Sequence, residues 1–539
     1  MLRISALFTL MLCMCYVMIA HAQQSNCPII PQPAKSSAGN GEFVLSTYTP
    51  ITYSDLSLQP VAYYFQQAIL QSKNIPLQVA SNPTGAHISL ELKKLANKDV
   101  SAYSVVMQPN KIVIQANTPN GIFYGLVSLL QLSRIQAAKN NTVALPCWNI
   151  DDAPLLGWRG FMLDEARHFF GKEKVKSLLD WMAFYKLNTF HWHLTDEQGW
   201  RFEVKQYPKL ALIGGVGDFT NAIAPAKYYT QADIKEIVQY AAERFITVVP
   251  EIDMPGHATA ANKAYPQYSG GGSKAHPMFT FNPAKEETYD YLTNILREAN
   301  TLFPSRMLHI GGDEVSYGNE EWPKDPAIQQ LMQRKQLKDL KAVENYFMQR
   351  MADTIMSLQA KVLAWDEMAE ADLPREKTII YWWRHDKPQQ LELALQKGYS
   401  TVICPRLPLY FDFVQDSTHR HGRKWNKRYN PLEEVYQFSP LSLAKPNQQY
   451  LIKGVQANLW TETVSNNERL DYLLFPRICA FAEMSWTPPS QKDYPAFLQK
   501  LERQFPLFDE ANIYYYNPTT PTLHSEPIPK KRTVSDYKD

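Results

Sequence analysis

The sequence predicts an α/β protein: a closed (β/α)8 barrel of the TIM type, preceded by a small α+β domain. Three observations predict it. From residue 157 onward, short apolar runs alternate with helical stretches eight times over about 330 residues, the pattern of parallel strands joined by crossover helices. No glycine-rich phosphate turn follows any run, which disfavours the runner-up, an open doubly wound sheet. Before residue 157 the pattern differs, with two alternating strands and two amphipathic helices.

At the start, Arg3 precedes an apolar stretch over 5–20 that ends in Ala20-His21-Ala22. A positive end, an apolar middle and a small-residue site predict a signal peptide over 1–22 and an exported protein, periplasmic or secreted, with the cell surface possible. No later run approaches the ~18 apolar residues of a membrane span. The α+β domain follows over 23–152. Residues 86–92 and 111–115 alternate as strands. Residues 59–72 and 119–137 read as helices, the second with Ile122, Leu126, Leu129, Leu130 and Leu132 on one broad face.

The barrel domain is expected over 153–515. Its strands are expected at 158–164, 187–193, 245–251, 306–311, 361–366, 378–383, 400–404 and 454–460. Between the first two, Val175, Leu178, Leu179 and Met182 fall at i, i+3, i+4, i+7, so 172–186 is a helix. Residues 494–515 are expected as a closing helix and packing segment, and 516–539 as a flexible tail. Composition agrees with a packed protein: 539 residues, 45% hydrophobic and 20% charged, enough core to offset chain entropy. A net charge of +2 gives no reason to expect a nucleic-acid partner. Of the six cysteines, Cys27, Cys147, Cys404 and Cys479 lie outside the leader and form no C-x-x-C pair, so neither a structural zinc site nor any other metal is expected. The spacing leaves disulfides and oligomeric state open.

In such a barrel the chemistry lies at the carboxyl ends of the strands. Those ends carry Asp164 with Arg167; His191, His193 and Asp196; Glu251, Asp253 and His257; Asp313-Glu314 after Gly311-Gly312; Trp365 with Asp366 and Glu367; Trp382 and Trp383; Tyr410 and Asp412; and Trp460 with Glu462. One acid at one strand end is usually a salt bridge or a helix cap. An acid with an aromatic or a histidine at six of the eight ends, the first through His168, suits a sugar: indole faces pack on pyranose C–H faces, while carboxylates and Arg grip hydroxyls. Glycoside cleavage also needs a carboxyl protonated near neutral pH, and a Glu beside a second acid meets that need. The adjacent Asp313-Glu314 pair is the best candidate.

WRGFMLDEARH (158–168), HWHLTDEQGWR (191–201), EIDMPGH (251–257), HIGGDE (309–314), AWDE (364–367), YFD (410–412) and LWTE (459–462), in this order, resemble the β-N-acetylhexosaminidases of glycoside hydrolase family 20. The resemblance covers roughly 30–510. It implies an exo-acting, retaining hydrolase in which the substrate's own 2-acetamido oxygen attacks C1. The substrate would be a glycan or glycoconjugate with a terminal N-acetylhexosamine, cleaved without a cofactor. By the match, Glu314 is the general acid and base. Asp313 orients the acetamido N–H, and Tyr410 donates to the acetamido oxygen. Trp365, Trp383 and Trp460 wall the pocket. Arg167, Asp412 and Glu462 take ring hydroxyls, and Asp196 and His257 form a hydrogen-bonded chain to Glu314. Glu251 and Asp164 are expected behind the site, and Asp366, Glu367 and His385 on its rim.

Two rival readings come from the same residues. His191-x-His193 puts two imidazoles on one strand face, as a metal-dependent amide hydrolase would, but later strand ends supply no convincing further ligands. A catalytically silent sugar-binding barrel would have no use for the Asp313-Glu314 pair. The basic stretch His419, Arg420, His421, Arg423 and Lys424 is expected as a solvated face, with contact to an acidic or sulfated glycan as its functional alternative. Nothing in the sequence decides between N-acetylglucosamine and N-acetylgalactosamine.

Overall fold

The computed structural model describes residues 27–80 and 85–531; the predicted leader lies outside these residues. The chain forms two compact units. Residues up to 153 together with 495–502 make the first, and 154–494 with 503 onward make the second.

A seven-stranded sheet forms the first unit. Its strands are β1 (Lys35–Ser46), β2 (Pro50–Tyr53), β3 (Gln78–Val79), β4 (His87–Leu92), β5 (Tyr103–Gln108), β6 (Lys111–Ala116) and β7 (Thr142–Asp152), in the order β1-β7-β5-β6-β4-β2-β3. β4 and β6 are the two strands the alternation predicts, and both helices form, at Gln59–Lys73 and Pro119–Arg134. The second helix starts where Thr118 accepts from the Gly121 N–H and Pro119 supplies a preset φ. β1 and β7 went unpredicted for a physical reason. Gly39-Asn40-Gly41 breaks the alternation of β1, and the β1–β7 register shifts there, between Ala38 and Glu42. β7 carries Pro146, a residue that argues against a strand interior.

The second unit is a closed barrel of parallel strands: β8 (Trp158–Asp164), β9 (Thr189–His193), β10 (Thr247–Met254), β13 (Met307–Gly311), β14 (Lys361–Trp365), β15 (Thr378–Trp382), β16 (Ser400–Ile403) and β17 (Ile452–Leu459), with β17 pairing back onto β8. A small hairpin, β11 (Ser269–Gly271) and β12 (Thr280–Phe281), lies in the loop after β10. All eight predicted runs become barrel strands. They are legible because a parallel strand is covered on both faces and reads as continuous apolar sequence; every residue of β9 is buried. Helix Lys172–Phe184 buries Val175, Leu178, Leu179 and Met182, the stripe that predicts it.

Two expectations about the C-terminal part are corrected. Residues 495–502, expected with the barrel, belong to the first unit, where Lys500 donates to Gln32 at 3.0 Å. Residues 516–531 are tied down where a flexible tail was expected. Glu526 accepts from the Arg420 and His421 backbone N–H groups at 2.6 and 3.1 Å and pairs with Arg469 at 3.2 Å. Arg469 is fully buried and also donates to the Pro527 carbonyl at 2.8 Å. Local patterning did not show this, because one acid among prolines gives no periodic signal. Glu526→Ala is expected to lower stability by about 3 kcal/mol, since it strips a buried guanidinium of its counter-charge. An unchanged Tm would show that the segment does not brace the barrel. Among the described residues, no helix is long and apolar enough to cross a membrane.

Candidate active site

The strand ends converge at one rim. β8 delivers Asp164, whose Oδ1 accepts from the Ala166 and Arg167 backbone N–H groups and whose Oδ2 accepts from the N–H and hydroxyl of Thr461, all at 2.9–3.0 Å. Asp164 thus stitches the end of β8 to the end of β17, where the barrel closes. Arg167 is thereby aimed inward. Its Nη1 lies 2.7 Å from Asp196 Oδ2, and its guanidinium lies 4.9 Å from the Trp460 ring centre.

Beneath the rim, Glu251 of β10 is fully buried with four side chains pressed on its carboxylate, of which Trp365 and His193 hydrogen-bond to it. Oε1 lies 2.8 Å from Trp365 Nε1 and 3.0 Å from His309 Nδ1; Oε2 lies 2.6 Å from His193 Nδ1 and 3.1 Å from His191 Nε2. His193 Nε2 in turn meets Asp196 Oδ2 at 2.9 Å. The two imidazoles of the His191-x-His193 motif are therefore engaged by one carboxylate. Among the described residues, His191, Glu251 and His309 are close enough together to hold a metal ion, as are Asp196, Glu197 and His257, and Asp253, His257 and Asp313.

The catalytic candidates stand on a strained turn. Gly311 and Gly312 have φ of 63° and 89°. A Cβ on Gly311 would lie 1.7 Å from Asp253 Oδ1, so only glycine lets β13 pass this acid. Glu314 follows at φ 53°, as does His257 after β10. Left-handed backbone at a non-glycine residue costs on the order of 1 kcal/mol or more and is held in place by its surroundings. His257 Nδ1 lies 3.2 Å from Asp196 Oδ1, and its Nε2 lies 3.7 Å from both Asp313 Oδ2 and Glu314 Oε2. Of the expected hydrogen-bonded chain to Glu314, the Asp196–His257 link forms, and the step from His257 to Glu314 is longer than a hydrogen bond.

These contacts separate the ionisations. Burial raises the Asp196 pKa, but Arg167 and His257 outweigh it and hold the carboxyl well below the ordinary range. Burial disfavours the charged form of His257, but Asp196 and Asp253 overcome it and raise its pKa well above the usual imidazole value. Asp313 moves the other way: burial, with Glu367 and Glu314 adding to it and His257 opposing, pushes it to about 8.

A cavity of about 250 Å³ opens above this turn. Asp313, Glu314, His257, Trp365, Trp383, Tyr410, Trp460 and Glu462 line it, as predicted. Trp365 and Trp460 meet at 6.0 Å between ring centres, and Trp383 lies parallel to Tyr410 at 6.4 Å. Trp382 is buried elsewhere and donates to the Lys387 carbonyl, so Trp383 is the tryptophan of the pair that faces the cavity. Arg167, Asp196 and Asp412 stand behind the lining residues. Glu367, expected on the rim, accepts from Trp383 Nε1 at 3.1 Å and fixes that wall; Asp366 is fully buried and holds Arg384 at 2.7 Å. Glu314 also borders a larger outer groove of about 710 Å³, shared by Trp383, Arg406 and Trp425.

Sequence reasoning missed Arg423, Trp425 and Arg406 as lining residues. Arg423 comes from the basic stretch expected as a solvated face, and Trp425 follows directly after it. Arg406 stacks on Trp425 at 3.9 Å and lies 4.8 Å from Trp383. No local pattern marks these three. A hint was available in Gly422, which precedes Arg423 with φ of 115° and so permits a turn closed to other residues.

Comparison with known proteins agrees with this geometry. Residues 156–489 match the glycosyl hydrolase family 20 catalytic domain, and 26–153 match domain 2 of the same family. The chain is 33% identical over 506 residues to a beta-hexosaminidase of Porphyromonas gingivalis, covering 91% of this chain and 64% of that protein. It is 33% identical over 475 residues to a beta-hexosaminidase of Vibrio furnissii, covering 84% and 76%. The structure of the exo beta-N-acetylglucosaminidase of Vibrio harveyi bound to N-acetylglucosamine superposes with a TM-score of 0.85 at 29% identity, covering 92% of this chain and 79% of that one. The barrel, the domain before it and the Asp313-Glu314 turn together place this chain in glycosyl hydrolase family 20.

Proposed function

We propose that the protein is an exo-acting, retaining β-N-acetylhexosaminidase that removes terminal N-acetylhexosamine by substrate-assisted catalysis. One observation carries the reading: Asp313 and Glu314 are consecutive, yet Asp313 faces only the inner cavity while Glu314 borders both the cavity and the outer groove. A bond between a sugar held in the cavity and a leaving chain held in the groove lies beside Glu314. The cavity falls below the ~300–1,000 Å³ of ordinary ligand pockets, which suits one sugar unit and hence cleavage from a chain end.

In the proposed first step the acetamido oxygen bonds to C1 as the glycosidic C–O bond breaks. Glu314 gives its proton to the departing oxygen. Asp313, once ionised, accepts the acetamido N–H and stabilises the positive charge that grows there. The Tyr410 hydroxyl donates to the acetamido oxygen, and Trp365, Trp383 and Trp460 bend that group beneath C1. In the second step water attacks C1, the C1–O bond to the acetamido group breaks, and the Glu314 carboxylate takes the proton of the water. Glu462 anchors a ring hydroxyl, Arg167 and Asp412 support the wall from behind it, and Asp196 and His257 tune Glu314.

The test is hydrolysis of nitrophenyl N-acetyl-β-glucosaminide and N-acetyl-β-galactosaminide, followed by NMR. Release of the β-anomer first supports the proposal. Release of the α-anomer first, or equal turnover of a β-glucoside without the 2-acetamido group, refutes it. A thiazoline that copies the bicyclic intermediate is expected to bind at least about 10²-fold more tightly than free N-acetylglucosamine, as analogues of strained intermediates do; competition assays measure this. Arg3, the apolar stretch over 5–20 and Ala20-His21-Ala22 support export in the same proposal. Amino-terminal sequencing of exported protein should then begin at Gln23.

A further inference from the structure

Arg423 comes from the loop expected to face solvent, yet it lines the cavity. Its Nη2 lies 2.8 Å from Glu462 Oε1, and its Nε lies 3.6 Å from Asp412 Oδ2. Asp412, assigned by the family resemblance to a sugar hydroxyl, is only 1% exposed and is not part of the cavity wall. Neither of its carboxylate oxygens accepts a hydrogen bond from another side chain.

The loop is built to turn Arg423 inward. Gly422 adopts φ of 115°, and a Cβ there would lie 2.9 Å from Val414 Cγ1 and 3.3 Å from the Asp412 carbonyl. Val414 N–H donates to the Arg423 carbonyl at 3.2 Å. On the other side of the turn, Arg469 Nη2 donates to the His421 carbonyl at 2.7 Å.

We propose that Arg423 is a further substrate-binding and specificity-determining residue: its guanidinium, backed by Asp412 and Glu462, donates to an outer hydroxyl of the bound sugar. A planar cation with several fixed donors suits a sugar oxygen flanked by acceptors. Burial pushes the Asp412 carboxyl up to about 7, with Arg423 opposing and Glu462 adding to it, consistent with a support for Arg423 that is hidden from solvent. This inference rests on the proposed glycosidase activity.

The experiment compares kcat/KM for nitrophenyl N-acetyl-β-glucosaminide and its 4-deoxy and 6-deoxy analogues in wild type, Arg423→Lys and Arg423→Met. Arg423→Met is expected to lose about 10–100-fold on the parent sugar, the size of a hydrogen bond to a charged group. It should also erase the wild-type difference between the parent and one of the deoxy analogues. Arg423→Lys should recover part of both effects, which a folding defect would not do. Equal losses on all three substrates, or none, would overturn the proposal: Arg423 would then only hold two acids together. Should wild type cleave none of the substrates, the activity reading fails separately. Calorimetric binding of N-acetylglucosamine and its two deoxy analogues then decides on Arg423 by the same pattern.

Discussion

Glu314→Gln is expected to lower kcat by about 10²–10⁴-fold, the usual contribution of a positioned general acid and base. The amide is nearly isosteric and can still occupy the φ 53° position. It cannot release a proton to a leaving oxygen, nor take one from water. Sugar binding should persist, because Glu314 stands at the mouth shared by cavity and groove, with its side chain 45% exposed, and not at the cavity's aromatic walls. Steady-state kinetics and calorimetry with N-acetylglucosamine check both halves. Substrates whose leaving group departs without protonation should lose less, since only the acid role is dispensable for them. Turnover close to wild type on an ordinary alkyl glycoside would remove Glu314 from the mechanism.

Asp313→Asn is expected to cost about 10²–10³-fold in kcat, the scale of removing one preorganised electrostatic group from a water-poor site. The loss should be specific to substrates carrying the 2-acetamido group. An equal loss on a sugar without it would show that Asp313 acts on the fold and not on the acetamido group. The same variant has a stability signature of known sign. Because folding raises the Asp313 pKa to about 8, the folded state holds that proton more tightly than the unfolded chain. Its stabilisation is complete below the unfolded value of about 3.9 and is lost as pH rises through about 8. Asparagine has no proton to lose, so the Tm of the variant should improve relative to wild type between pH 5 and pH 8. A Tm difference independent of pH would show that Asp313 does not titrate across that range.

Reading the chain locally located the candidate catalytic pair but not all of its surroundings. Asp313-Glu314 was visible because two glycines and an apolar strand run precede it, and backbone constraints of that kind are written in consecutive residues. The aromatic walls were visible because each follows a barrel strand. Arg423 was not, because its inward direction depends on a left-handed glycine, on Arg469 and on Glu526, residues up to about a hundred positions away. The strands that frame Gly39 and Pro146 were hidden in the same way, since pairing partners far along the chain supply what local propensity lacks.

By itself, then, the sequence determined the barrel, the order of its strands, the family and the candidate Asp313-Glu314 pair, because buried parallel strands and strand-end motifs are properties of short contiguous segments. Only the tertiary structure decided which acids face the cavity and which stand behind its wall, how Glu251 ties Trp365 to the histidines, and that a basic loop turns a guanidinium inward. Those outcomes depend on burial and on charges brought together across hundreds of residues, and a pKa or a side-chain direction is set by that surrounding field and not by sequence neighbours.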